Sequence, residues 1–69
     1  MQIMEALLNE TQAATYLNMK KGWLQKQRHF GKGPPYIFVG RSIRYRPSEL
    51  EKYLAENTVT PREMRVVTG

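Results

Sequence analysis

Lys20, Lys21, Lys26 and Arg28 fall in one short stretch, "KKGWLQKQRHF", with Gln25 among them. Cations at that density donate to phosphate oxygens, lysine or arginine reaches the acceptors of a guanine edge, and glutamine can pair bidentately with adenine. A second set follows in "VGRSIRYR", where Gly40, Arg41, Ser42 and Arg44 lie close together. Arginine enters a narrow minor groove readily, and a glycine turn lets backbone amides approach phosphate. Either set alone has a plainer explanation, since scattered lysines often only solvate a helix and edge-strand arginines often only discourage aggregation. Side by side in so short a chain they make candidate contacts to a polyanion.

The rest of the composition points the same way. Eleven Lys and Arg against six Asp and Glu give a formal charge of +5 and a pI near 9.9 in 69 residues, the electrostatic footprint of a nucleic-acid binder. A chain this short makes one domain with a marginal core and little room for an enzyme pocket. It has no cysteine, which removes disulfides and thiolate metal sites, and only one histidine, so no histidine-based metal site is expected. No histidine–carboxylate pair at useful spacing and no glycine-rich phosphate loop is present, so no catalytic residue, cofactor or small-molecule substrate is expected. No apolar run approaches a membrane span, and "MQIMEALL" lacks the features of a signal peptide. The expectation is a soluble cytoplasmic protein.

The elements that must position these residues can be read locally. In "LLNETQAATYL" Asn9 can cap a helix, Gln12 can reach back to complete a capping box, and Leu8 with Ala13 forms a hydrophobic staple. The helix runs from about Glu10 to Leu17, with Ala13, Ala14 and Leu17 on one face. Asn18 tolerates the left-handed conformation that ends helices, with Met19 tucked back into the core. A second, basic helix starts near Lys20 and stops at "GKGPP", where Phe30 covers one end.

In "YIFVGRSIRYR" a type II′ turn at Gly40-Arg41 would pair Val39 with Ser42, Phe38 with Ile43, Ile37 with Arg44 and Tyr36 with Tyr45. One face then carries Tyr36, Phe38, Ile43 and Tyr45; the other carries Ile37, Val39, Ser42 and Arg44 and is free to work. Pro47 opens a third helix to about Glu56, with Leu50, Tyr53 and Leu54 as its apolar stripe. Tyr36, Phe38, Tyr45, Leu50, Tyr53 and Leu54 are expected in the core. Trp23 reads as core or half-buried; facing DNA it would touch a thymine methyl or a sugar. His29 reads as a surface residue favourable to the helix dipole.

This order, two short helices, a hairpin and a helix, is that of an α+β winged helix-turn-helix, with three short helices and a two-stranded antiparallel β-hairpin wing. From about Leu7 to Leu54 the chain resembles the small excisionase and AlpA-like proteins of phages and mobile elements, whose fold is related to the MerR DNA-binding domain. The residues carrying the resemblance are "LLNETQAATYLNMK", Leu24 and above all "GKGPPYIFVGRSIRYRPSELEKYL". It implies that the helix from Lys20 enters the major groove while Gly40-Arg41-Ser42 meets the adjacent minor groove or backbone. It also implies a protein that bends DNA, regulates promoters or steers an integrase towards excision. The chain departs from the family's usual pattern at Trp23, where relatives usually carry serine or threonine, at Gln27, where they usually carry an aromatic or aliphatic residue, and at Lys20, which replaces the usual serine.

Residues 1–56 are therefore read as the DNA-binding domain and 57–69 as a flexible tail. In the tail, Thr60-Pro61-Arg62-Glu63 could cap one helical turn ahead of Met64, Val66 and Val67. The expected partner is double-stranded DNA. An integrase or recombinase, or neighbouring copies on repeated sites, would be met through the tail, for which a disordered end is the competing reading. The alternative function is a basic protein-interaction module, a phage adaptor or anti-repressor that binds an acidic host protein.

Overall fold

The computed structural model describes residues 5–61. Its elements are α1 (Glu10–Tyr16), α2 (Lys21–His29), β1 (Ile37–Val39), β2 (Ser42–Arg44) and α3 (Pro47–Glu56), in the order expected of a winged helix-turn-helix. The capping box forms at the start of α1: the Asn9 side chain accepts from the Gln12 amide at 2.8 Å, and the Asn9 amide donates to the Gln12 side chain at 2.9 Å. These bonds satisfy amides that the first helical turn leaves without partners.

Both helix ends that matter for the turn are closed the same way. Asn18 takes a positive φ of 59° after α1, and Gly31 takes 69° after α2. The amides of Asn18 and Met19 donate to the carbonyls of Thr15 and Ala14, and those of Gly31 and Lys32 to Arg28 and Gln27. This is the paired reversed bonding that a left-handed residue makes possible at a helix end. At Gly33 the backbone turns again, and an added Cβ would lie 2.9 Å from the Gln27 Cβ. Only glycine fits there.

The core is small. Ala13, Ala14, Leu24, Tyr45 and Leu50 are buried, with Leu8, Leu17, Trp23 and Ile43 packed against them. The two alanines let α2 approach α1 closely through Leu24. The hairpin has the expected register at Val39–Ser42, Phe38–Ile43 and Ile37–Arg44, and Gly40 alone takes a positive φ in the turn, as type II′ requires. The ladder ends there. Tyr45 exchanges its backbone bonds with Leu8 at 2.8 and 2.9 Å, although its ring stays 6.2 Å from that of Tyr36. In an antiparallel pair alternate residues aim their backbone groups away from the partner strand, and Tyr45 is such a residue.

The core is narrower than the alternation suggests. Tyr45 and Leu50 are buried and Tyr53 is half-buried, but Tyr36, Phe38 and Leu54 are exposed, Phe38 by 65%. Met19 is 42% exposed rather than tucked in, and Phe30 is exposed at the end of α2. The reason is geometric: the core is met from the β2 side, where Ile43 and Tyr45 pack on it, so Tyr36 and Phe38 on the β1 side and Leu54 near the end of α3 lie at its margin. Phe38 instead packs edge-on against Tyr36.

Pro47 occupies the first turn of α3, as the sequence implies. The Glu5 carboxylate reaches across to that helix start, accepting from the Ser48 amide at 3.0 Å and its hydroxyl at 2.9 Å. Tyr16 donates to Glu51, tying α1 to α3. At the other end of α3, Asn57 caps the helix through its own amide and side chain, and the Thr58 hydroxyl bonds the Leu54 carbonyl. The cap expected at Thr60-Pro61-Arg62-Glu63 runs past the described residues after Pro61, and the apolar Met64, Val66 and Val67 lie outside them.

Candidate nucleic-acid interface

An open cleft runs between the basic helix α2 and the wing. The start of α1 contributes Asn9, Glu10 and Thr11, α2 contributes Lys21 and Gln25, and β2 contributes Ser42, Ile43 and Arg44. The helical spacing of Lys21 and Gln25, one turn apart, puts both on the flank of α2 that faces the wing. On β2, Ser42 and Arg44 share a strand face by alternation. Gly40 and Arg41 lie exposed at the wing tip, and Lys20 and Lys26 lie exposed on α2. Lys20 stands at the N-cap position of α2 without a side-chain cap bond.

Arg28 is the departure. It stands one turn after the buried Leu24, so it shares that residue's inward side rather than the outer face of α2. Its guanidinium holds Glu10 with both arms, Nε to Oε2 at 3.0 Å and the second nitrogen to Oε1 at 3.2 Å. It also sits 5.8 Å over the Tyr36 ring. The Tyr45 hydroxyl donates to the same Glu10 oxygen at 3.3 Å. Arg28 thus fastens α2 to α1 instead of projecting outward.

The electrostatics of this cluster are consistent with a fixed pair. Burial pushes the Glu10 carboxyl up, but the hydrogen bond and charge of Arg28, with Gln25 and Tyr45 as further donors, hold it below the usual carboxylate range. The Glu10 hydrogen bond and charge raise Arg28 against its own desolvation. Burial and the neighbouring Glu10 charge push the Tyr45 hydroxyl up to about 12. Among the described residues this is the one ion pair, and a carboxylate lining a basic cleft is neutralised from behind.

Sequence reasoning missed Glu10 and Glu5. Glu10 reads locally as an acid in a first helical turn, and nothing near it in the chain announces Arg28 or Tyr45. Its partner did carry a signal, the four-residue spacing from Leu24. Glu5 precedes every element and gave none. Among the described residues no cluster of histidine, cysteine or acidic side chains could hold a metal, and no helix is long and apolar enough to cross a membrane.

No curated protein matches the sequence. A family model does: that of the helix-turn-helix domain, over residues 7–58, a stretch that begins just before the α1 cap and ends just past α3. Domains of this kind bind DNA and are typically non-enzymatic. With two capped helices at a tight turn, a wing beside the second and a basic cleft between them, the chain belongs to the helix-turn-helix domain family, and duplex DNA is the partner that membership supports.

Proposed function

We propose that the chain recognises a specific site in double-stranded DNA and acts there as an excisionase, a transcriptional regulator or both, for a phage or mobile element. The observation that carries this reading is the cleft shared by Lys21 and Gln25 of α2 and Ser42 and Arg44 of β2. With α2 in the major groove, Gln25 is the residue for an adenine edge and Lys21 or Lys26 for guanine. The wing meets the adjacent minor groove or backbone, with Arg41 and Arg44 as its cations and Gly40 and Ser42 as close-approach positions. Lys20 takes a phosphate. Arg28, occupied with Glu10, is left out of the contact set.

A single module of this size covers about 600–1,000 Å², so specificity calls for neighbouring copies on repeated sites or an integrase alongside. The segment from Asn57 to Gly69 is the proposed contact for such a partner. Fluorescence anisotropy against a duplex at several salt concentrations tests the core of the reading. About four phosphate contacts give a slope of log affinity on log salt of roughly −3.6. Reversing charge with Lys26→Glu and Arg41→Glu is expected to abolish binding with helicity unchanged. A flat salt response, or affinity unaffected by the reversals, would refute it. Footprinting then separates the roles: protection of an attachment site means excision, and protection of a promoter means regulation.

A further inference from the structure

Resting on that DNA reading, we infer that the groove formed by Met19 and Trp23 is a subsite for the 5-methyl group of a thymine in the major groove. The groove is open and mostly apolar, lined by Asn18, Met19, Lys20, Gly22 and Trp23 at the turn and the first turn of α2. Each residue of a helix is turned about 100° from the last, so Trp23 and Gln25, two apart, lie on opposite flanks. The helix therefore carries a polar cleft on the wing side and an apolar groove on the other. Between them runs the ridge of Gly22 and Lys26.

Three features select the occupant. Met19 is 42% exposed although it follows a tight turn beside the core, and Trp23 is half-buried, its inner side packed on that core. One wall of the groove is thus a ring fixed in place, the other a polarisable and adaptable side chain. No carboxylate lines the groove, and Lys20 does, which suits a polyanion better than an apolar peptide. Nothing lies within 4 Å of where a Cβ of Gly22 would stand, so the helix can come close to base edges there. In the major groove the thymine methyl is the one apolar group a base edge offers.

The test uses the full chain and a duplex selected by it from a randomised library. Replacing each thymine in turn by uracil removes one methyl and leaves the pairing intact. The expected result is one or two positions at which the wild type loses about fourfold in affinity, the worth of one buried methyl group. Met19→Ala, at an exposed position, should show no such penalty at those positions, and Trp23→Phe a reduced one, with both variants folded by circular dichroism. The chain's single tryptophan should also change its emission on binding the thymine duplex. Methyl-independent affinity at every thymine, a selected site without thymine, or a uracil penalty that persists in Met19→Ala would overturn the subsite while leaving the DNA reading standing. Failure to select any duplex would overturn both.

Discussion

The pairing of Arg28 with Glu10 makes a prediction that separates a fastening role from a DNA-contacting one. The perturbation is a double-mutant cycle with Glu10→Ala, Arg28→Ala and the pair. Two charge-assisted bonds join side chains that are 11% and 28% exposed, which puts the pair between an exposed ion pair at about 0–1 kcal/mol and a buried one at about 3–5 kcal/mol. We expect Glu10→Ala to cost about 2 kcal/mol, because it also strips Tyr45 of its acceptor, Arg28→Ala about 1.5 kcal/mol, and the coupling between them to be about 1 kcal/mol. That is a large share of the roughly 3–10 kcal/mol available to a domain of this length.

Urea unfolding followed by circular dichroism at 222 nm and by Trp23 emission reads these values. Glu10 titrates below its ordinary range when folded, so its stabilisation is fully present above the unfolded value of about 4.3 and is lost as pH falls through the folded one. The coupling should therefore fade in acid. Held well below its melting temperature, Arg28→Ala should bind DNA within about twofold of the wild type. A coupling near zero, or a folded Arg28→Ala with a tenfold loss of DNA affinity, would refute the fastening role and return Arg28 to the contact surface.

Three further predictions follow from single positions. Gly22→Ala places a methyl in open space on a helix, so it should raise stability by about 0.5–1 kcal/mol yet weaken DNA binding, whereas Gly33→Ala, at a φ of 85° and 2.9 Å from the Gln27 Cβ, should destabilise by about 1–3 kcal/mol; paired urea and anisotropy measurements check both. Tyr45 ionises near 12 in the fold, so the stability tied to its neutral hydroxyl is intact below about pH 10 and is lost as pH rises to 12, amounting to about 3 kcal/mol at the end. Tyr45→Phe should flatten that alkaline limb in urea titrations.

Much of the scaffold could be read from the sequence because its signals are local. Asn9 with Gln12, Asn18, Gly31, Gly40 and Pro47 each answer to a backbone requirement met within four residues, and each stands where expected. The errors are all of longer range. Alternation names the face on which Tyr36 and Phe38 lie but not how far the core extends beneath it, and the core is met from the β2 side. The same limit hides Glu5 and Glu10, whose partners are far along the chain. Arg28 falls between: its spacing from Leu24 marked an inward position, but its charge argued for the surface.

The distribution of carboxylates explains why so much of the composition's charge reaches the interface. Glu5 is engaged at the start of α3, Glu10 in the wall of the cleft on Arg28 and Glu51 on Tyr16, so three acids serve as internal fasteners of a fold too small to hold by apolar packing alone. Only Glu10 meets a cation within ion-pair distance among the described residues. Lys21, Lys26 and Arg41 are thus left without a carboxylate partner there, on the helix and wing that border the cleft. Surface pairing of those cations would have added about 0–1 kcal/mol each to stability while neutralising the field that draws in a polyanion. Using acids to brace the scaffold and leaving cations bare is the arrangement a short DNA-binding module needs, because the same few residues must both hold its shape and supply its affinity.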